Sequence, residues 1–157
     1  MRKIGIIAVL SLMALALAAV PALAAGNGHF IKNATTATQS GTSVTVNFKE
    51  AGLAAGATET ITASATATTT YACQTNAGTY PNAANKQTTS TNVSQSGTFT
   101  ADQNGNLVGS LTLTAPGPEQ NTLVCPPGQT ETLQSASFSN VTVSDSTSGA
   151  TITVPVR

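Results

Sequence analysis

The sequence predicts an all-β protein: an antiparallel two-sheet sandwich of seven to eight strands, immunoglobulin-like in architecture, with one disulfide. Three observations support this prediction. Apolar and polar residues alternate in segment after segment, turn-forming residues separate these segments at short intervals, and no segment combines helix-forming residues with a helical period. The chain has no tryptophan, whereas immunoglobulin domains carry one in the core between their cysteines, so the expected likeness is one of architecture alone.

The strand around which the fold is organised is predicted from Thr58 to Cys73. From Ile61 onward the odd-numbered residues are mostly alanine, tyrosine or cysteine, and the even-numbered residues are mostly threonine. Side chains of a strand alternate between two faces, so this pattern predicts one buried face and one face that carries hydroxyl groups. Because the buried face is lined mostly by alanine, the opposite sheet is expected to pack close to it.

Further strands are predicted wherever the alternation returns. Near the C-terminus the apolar residues change parity between Phe138 and Val141, which predicts a β-bulge near Ser139 and Asn140. Pro155 predicts an edge position for the last strand, because proline cannot donate a hydrogen bond to a neighbouring strand. The predicted strands are His29–Ile31, Ser43–Phe48, Val93–Ala101, Leu107–Thr114, Asn121–Cys125, Glu131–Val143 and Ile152–Val156.

Turns and loops are predicted from glycine, proline and asparagine. Asn104-Gly105 predicts a hairpin between the strands on either side of it. Lys49–Ala57 contains helix-forming residues, but Gly52 and Gly56 interrupt them within two turns, so a loop or one short turn is expected there. The stretch Gln74–Thr91 is rich in asparagine and contains glycine and proline, which predicts a long loop.

Residues 1–24 have the parts of a secretory signal peptide. A basic start precedes the apolar stretch Ile4–Val20, and Ala22 and Ala24 supply the small residues that signal peptidase requires. The apolar stretch also approaches the length of a membrane span, but the cleavage site favours its removal. The mature protein is therefore expected to be one extracellular domain, residues 25–157, without membrane attachment.

The charge of the chain excludes several classes of partner. Residues 25–157 contain four basic and six acidic side chains, a net charge of −2, and charged residues make up only 8% of the whole chain. Nucleic acids and anionic membranes are bound through clusters of lysine and arginine, so neither is an expected partner. The surface is expected to be nearly neutral and rich in hydroxyl and amide groups.

The two cysteines, Cys73 and Cys125, are predicted to form one disulfide. Disulfides persist in the oxidising environment outside the cell. Cysteines that bind a metal or perform redox chemistry would need a C-x-x-C spacing or nearby histidines, and His29 is the only histidine in the chain. No metal site and no cofactor are therefore expected.

No residue pattern in the chain predicts catalysis. His29 is the single histidine that could act as a general base, and no acidic residue lies beside it in sequence to orient it. Among the acidic residues, Glu50, Asp102, Glu119 and Asp145 fall at predicted turns or strand ends, where solvent exposure is expected. The sequence therefore predicts a protein that is not an enzyme.

Asp102, Asn104 and Asn106 have the alternate spacing of oxygen ligands in a calcium-binding loop. The glycine and the bidentate glutamate that complete such a loop are absent. Aspartate, asparagine and glycine also occur together in tight turns, because they cap the turn or tolerate a positive φ. The turn is the favoured interpretation, and calcium binding is the alternative.

A binding surface is predicted at the end of the sandwich that carries the disulfide. Joining Cys73 to Cys125 brings the loop after the first cysteine close to the Pro-Pro-Gly turn after the second. A loop tyrosine among amide side chains can stack on a sugar ring or contact a protein partner. The alternative is that this tyrosine covers the disulfide and closes the core. The candidate binding residues are Tyr80, Asn82, Asn85, Lys86 and Gln129.

Two short patterns stand out: Y-x-C-x-x-x-x-G at Tyr71, Cys73 and Gly78, and C-P-P-G-Q from Cys125 to Gln129. Through these patterns and the stretches that include or accompany them, 26–35, 47–53, 61–78 and 124–145, the chain resembles a group of small secreted β-rich proteins of Gram-positive soil bacteria. The resemblance implies a secreted protein with a cysteine pair. The group has no assigned activity, so the resemblance implies no functional residue.

These observations lead to one favoured hypothesis for function and two alternatives. The favoured hypothesis is a secreted, non-enzymatic protein that binds an extracellular glycan or protein, or forms part of a surface layer, through the disulfide end. The first alternative is an inhibitor of a secreted hydrolase, in which Gln74–Thr91 or Pro126-Pro127-Gly128 enters the enzyme's cleft. The second alternative is self-assembly through the edge of the last strand, Ile152–Val156.

Overall fold

The chain forms two packed antiparallel sheets, which confirms the predicted fold class. The computed structural model describes residues 26–81, 85–117 and 123–157, so the predicted signal peptide lies outside the described residues. Within these three ranges, no helix has the length and apolar character needed to cross a bilayer. The strands are β1 (His29–Phe30), β2 (Thr36–Ser40), β3 (Ser43–Ala51), β4 (Thr58–Thr75), β5 (Lys86–Thr100), β6 (Leu107–Thr114), β7 (Gln129–Asp145) and β8 (Thr151–Thr153).

The first sheet is built around β3. Along one edge, β6 pairs with β3 from Ser43 opposite Thr114 to Glu50 opposite Leu107. Along the other edge β1 and β2 pair with β3 one after the other, separated by a short 3₁₀ turn, Lys32–Ala34. The predicted alternation of β3 is present and continues further than expected. Its buried residues are Val44, Val46, Phe48 and Glu50.

The second sheet has the strand order β5-β4-β7-β8. Its central strand β4 is 18 residues long and pairs with β5 and β7 over most of that length. Every odd-numbered residue of β4 from Glu59 to Cys73 is buried. The predicted period and phase of this strand are therefore confirmed.

The core lies between β3 and β6 on one side and β4 and β7 on the other. The alanines of β4 leave room for larger side chains from the opposite sheet. Phe48 is buried in this core, and its ring makes edge-to-face contacts with Phe30 and Phe99, with centroids 6.3 and 5.1 Å apart. Three of the four phenylalanines of the chain thus meet in one contact.

The predicted β-bulge is present in β7. Ser64 of β4 pairs with Thr142, but Thr66 pairs with Ser139, so β7 has one extra residue in this interval. Asn140 lies there with a φ of 52°, a conformation that asparagine adopts more readily than most residues. The bulge changes the parity of the buried residues of β7, as the sequence predicts.

The predicted hairpin at Asn104-Gly105 is wrong, although its turn forms. β5 pairs with β4 and β6 pairs with β3, so the turn carries the chain from the second sheet to the first. The Asp102 carboxylate accepts hydrogen bonds from the backbone amides of Asn104 and Asn106, at 2.8 and 2.9 Å. Gly105 has a φ of 73°, which suits glycine. An Asn-Gly turn does not determine whether its flanking strands pair, because the pairing depends on distant strands.

Two predicted boundaries also change. β4 extends to Thr75 and β5 begins at Lys86, so the predicted loop Gln74–Thr91 is too long, because hydroxyl-rich residues on its flanks pair as strands. A strand is predicted over Asn121–Cys125, but its described part, Leu123–Cys125, does not pair with another strand. The loop expected within Lys49–Ala57 is present, after β3 ends at Ala51.

The predicted last strand is divided between the two sheets. β8 pairs with β7, whereas Val156 forms a parallel bridge with Ala37 of β2. The backbone of Arg157 extends this contact through hydrogen bonds with Ala37 and Gln39, at 2.9 and 3.0 Å. Pro155 lies between the two pairings, which is consistent with its lack of a backbone donor.

Candidate functional site

The disulfide between Cys73 and Cys125 is present, as predicted. Close to it, the last residue of β4, Thr75, pairs with the first residue of β7, Gln129. The loop between β4 and β5 and the turn before β7 therefore start from the same end of the second sheet. We call residues 74–86 and 125–132 the disulfide end.

Tyr80 and the disulfide lie on opposite faces of the second sheet. The phenol oxygen of Tyr80 is 3.4 Å from the hydroxyl of Thr132, which donates a hydrogen bond to the Ala72 carbonyl at 3.3 Å. Thr132 and Ala72 are cross-strand partners and share the outer face. Cys73, the next residue, faces the core. Tyr80 therefore does not close the core over the disulfide.

The core at the disulfide end is closed by another tyrosine. Tyr71 is 2% exposed, and its hydroxyl donates a hydrogen bond to the Pro116 carbonyl at 2.8 Å. Tyr71 has the parity of the buried residues of β4, as the sequence predicts. Tyr80 is consequently left 38% exposed, with its ring on the outside of the sandwich.

The structure brings one further candidate residue to the same face as Tyr80. Lys86 pairs with Ala72 on the opposite side from Thr132, so Thr132, Ala72 and Lys86 form one row across three strands. Lys86 is exposed. Lys86 and Thr132, the residue that Tyr80 contacts, therefore lie at opposite ends of this row.

The remaining candidates lie elsewhere. Gln129 pairs with Thr75, which has the parity of the buried residues, and its Oε1 atom is buried without a hydrogen-bond donor among the described residues. Asn85 is partly buried just before β5. Asn82 lies outside the described residues. The predicted set is thus divided between the two faces of the sheet.

The outer face of the second sheet is covered by hydroxyl groups, and the sequence analysis missed it as a site. Every even-numbered residue of β4 from Thr58 to Thr70 is threonine or serine, and the partners of these residues on β5 and β7 are serine, threonine and asparagine. We call this surface the hydroxyl face. The hydroxyl face could have been inferred from the sequence, because the alternation that predicts β4 as a strand also places its threonine and serine residues on one face.

Neighbouring side chains of the hydroxyl face hydrogen-bond to one another across strands. The hydroxyls of Thr68 and Ser90 are 2.9 Å apart, and those of Thr70 and Thr88 are 3.0 Å apart. Ser64 shares a hydrogen bond of 2.8 Å with Thr142 on the other side of β4. These bonds restrict the side-chain rotamers, so the face presents its donors and acceptors in an ordered array. Strand geometry spaces them by about 7 Å along a strand and about 4.8 Å between strands.

A second exposed feature lies next to the disulfide. Val124 is 87% exposed, although large apolar side chains are usually buried. It precedes Cys125, which anchors the segment to β4, and Pro126-Pro127-Gly128 follows as an exposed turn. This exposed segment is thus attached to the second sheet by a covalent bond.

Three acidic residues are buried at the opposite end of the sandwich. Glu50, Glu59 and Asp145 are 0, 5 and 2% exposed, so the predicted exposure of Glu50 and Asp145 is wrong. Asp102 is exposed as expected, and Glu119 lies outside the described residues. The burial of Glu50 and Glu59 could have been predicted from the sequence, because both have the parity of the buried residues in β3 and β4.

The turn at Asp102 has the hydrogen bonds of a capped turn. A hydrogen bond from the backbone amide of Asn106 lowers the pKa of the Asp102 carboxyl, and the Asn104 amide contributes to the same effect. One carboxylate oxygen serves both amides. In the part of the chain that the structure describes, no group of three or more His, Cys, Asp or Glu side chains could hold a metal ion.

Two cavities are lined by described residues. One has a volume of about 170 Å³ and is lined by Lys32, Val154 and Arg157 among others. Another has a volume of about 250 Å³ and lies between Gly41 and Leu133–Ala136.

Comparison of the chain with protein families, with curated proteins and with solved structures finds no match. The inference of function therefore starts from the chemistry of the surfaces described above. The hydroxyl face with Tyr80, the Val124 segment and the buried carboxyl cluster are the three features to be explained.

Proposed function

We propose that this protein is a secreted, non-enzymatic binding protein that contacts an extracellular polysaccharide through the hydroxyl face and Tyr80. The observation that carries the proposal is the position of Tyr80, 38% exposed and with its phenol oxygen 3.4 Å from Thr132 at the end of that face. An aromatic ring can stack on a sugar ring, and an ordered row of hydroxyls can exchange hydrogen bonds with sugar hydroxyls.

The charge of the face indicates an uncharged polymer. Lys86 is the only charged residue among the outward-facing partners that the described pairs of β4, β5 and β7 contain. Polyanions are bound through clusters of cations, and a single lysine does not form a cluster. A neutral polysaccharide matches both the low charge and the repeating donors and acceptors.

Co-sedimentation with insoluble polysaccharides, including cell-wall preparations, tests the proposal. The wild-type protein is expected to pellet with at least one neutral polysaccharide. Tyr80→Ala should weaken this binding by about fivefold, since stacking contributes on the order of 1 kcal/mol. Circular dichroism should show an unchanged fold, because Tyr80 lies outside the core.

A matched pair of threonine substitutions provides the control. Thr68→Val removes a hydroxyl from the hydroxyl face, whereas Thr45→Val removes one from the first sheet, where Thr45 and Thr112 hydroxyls lie 3.4 Å apart. Only Thr68→Val should reduce pelleting. Equal effects of the two variants, or no pelleting of the wild type with any polysaccharide, would contradict the proposal.

The Val124 segment favours one alternative, inhibition of a secreted hydrolase. An apolar side chain that is 87% exposed on a disulfide-anchored segment could enter the cleft of an enzyme. Assays with a panel of secreted hydrolases would show inhibition that Val124→Asp removes. Inhibition together with absent polysaccharide binding would replace the first proposal by this one.

A further inference from the structure

The buried acidic residues form one cluster between the two sheets. Glu50 lies near the end of β3, Glu59 near the start of β4, and Asp145 at the end of β7. Asp145 pairs with Ile61, two residues from Glu59, and its negative charge acts on both glutamates. Glu50 Oε2, Glu59 Oε2 and Asp145 Oδ2 are all buried and have no hydrogen-bond donor among the described residues.

Among the described residues, no cation lies against the cluster from the elements packed around it. His29 on β1 is exposed, and its Nδ1 atom is 3.1 Å from the Asn27 carbonyl. Lys49 lies on the opposite face of β3, where its charge acts on Asp102. The loop 52–57, β6, the turn 146–150 and β8 contain no charged residue. In the ranges that the structure describes, the only other titratable group near this end is Asp102, which is itself acidic.

A shared proton explains this arrangement. Two carboxyl groups can form a hydrogen bond with each other only when one of them is protonated. Asp145 raises the pKa of both Glu50 and Glu59, each of the three carboxyl groups has one buried oxygen without a donor among the described residues, and those residues offer no metal site in place of a proton. Burial raises the pKa of Glu50 to about 7, with further contributions from the charges of Asp145 and Glu59. Burial also raises the pKa of Glu59.

We propose that the cluster is a proton-dependent latch, which fastens residues 26–31 and the turn 146–150 to the sandwich and loosens at mildly alkaline pH. The Ser148 hydroxyl donates a hydrogen bond to Glu50 Oε1 at 2.9 Å, and the Thr147 amide donates one to Asp145 Oδ1 at 2.7 Å. Gly28 lies directly on Glu50, because a Cβ atom at this position would be 2.6 Å from Oε1. Both segments therefore contact the carboxyl groups that carry the shared proton.

The direction of the pH effect follows from the proton balance. The folded protein keeps a proton on Glu50 up to about pH 7, whereas an ordinary glutamate releases it near the reference value of 4.5. Stabilisation is therefore complete below about pH 4.5 and is lost as the pH rises through about 7. Above this range the closed latch would have to bury several uncompensated negative charges, so the segments that cover it should open.

Thermal unfolding as a function of pH tests the latch. The Tm of the wild type should fall by about 5–10 °C between about pH 5 and about pH 8.5. Glu50→Gln cannot ionise and retains the partner of Ser148, so it should lose most of this fall. Glu131→Gln is the matched control at the disulfide end, and it should keep the fall in full.

Amide hydrogen exchange locates the opening. The Thr147 amide donates a hydrogen bond to Asp145, and the Ile31 amide donates one to the Lys49 carbonyl. The protection factors of these two amides should fall by about tenfold or more over the same pH range. The Thr75 amide, which is bonded to the Thr79 carbonyl at the disulfide end, should keep its protection. Loss of protection at both ends together would indicate global destabilisation and would overturn the latch.

Three further outcomes would overturn the proposal. One is a wild-type Tm that is constant or rises between about pH 5 and about pH 8.5. Another is a Glu50→Gln variant with the full wild-type fall. The third is recovery of the wild-type Tm at alkaline pH on adding millimolar calcium, which would make the cluster a cation site. If Glu50→Gln does not fold, Ser148→Ala serves instead. The Ser148 hydrogen bond lowers the pKa of Glu50, so its loss should raise that pKa further and extend the fall in Tm to a higher pH than in the wild type.

Discussion

At the scale of single residues, Gly109 determines how the aromatic side chains pack. A Cβ atom at this position would lie 2.5 Å from Phe48 Cζ and 2.6 Å from Phe99 Cε1. Gly109→Ala should therefore force the edge-to-face pair apart and reduce the free energy of unfolding by about 1–3 kcal/mol. Gly117→Ala is the control, because no atom of the described residues lies within 4 Å of its Cβ position. Denaturant titration that shows equal stability for the two variants would contradict this account.

The buried carboxyl cluster shows what could and could not be predicted for individual residues. Parity along β3 and β4 already places Glu50 and Glu59 on the inner face, so their burial could be inferred from the strand pattern. Asp145 is different, because its contact with them depends on the register that sets Asp145 opposite Ile61. That register joins residues far apart in sequence, and no local pattern specifies it. Tyr80 likewise receives its place on the outer face from Thr132, which lies 52 residues away.

At the scale of secondary-structure elements, local patterns predict strands better than they predict the partners of strands. The alternation in β4 and the parity change in β7 are properties of one strand each, and both are confirmed. Whether β5 and β6 pair with each other depends on the other strands, because Asn104-Gly105 can connect two strands of one hairpin or two strands of different sheets. The Asn-Gly turn packs where Leu53 donates a backbone hydrogen bond to Gly105 at 3.1 Å, a contact that only the assembled sandwich provides.

The bulge in β7 provides a prediction at this scale. Asn140 has a φ of 52°, which is costly for a β-branched residue because its side chain collides with the backbone. Asn140→Val should lower the free energy of unfolding by about 1–2 kcal/mol. Ser139→Val, at the exposed neighbouring position, should change it by less than about 0.5 kcal/mol. Equal losses in urea denaturation would show that the left-handed conformation does not cause the effect.

At the scale of the whole molecule, the sandwich has two ends with different chemistry. The disulfide end carries a covalent link, an exposed tyrosine and the beginning of the hydroxyl face. The opposite end carries the carboxyl cluster, whose stabilisation depends on protons. Long strands of up to 18 residues separate the two, and mutations at distant sites without shared partners usually have additive effects on stability. The ends should therefore respond independently to reduction and to pH.

The disulfide allows this independence to be measured. Cys73 and Cys125 are 52 residues apart, so in the chain-entropy description their link stabilises the fold by about 4 kcal/mol. Replacing both cysteines by serine should reduce the free energy of unfolding by about this amount at every pH, because Leu123–Cys125 has no strand ladder to hold it in place. The fall in stability between about pH 5 and about pH 8.5 should nevertheless match that of the wild type. Chemical denaturation of both proteins at the two pH values provides the measurement, and a fall that disappears with the disulfide would show that the two ends are coupled.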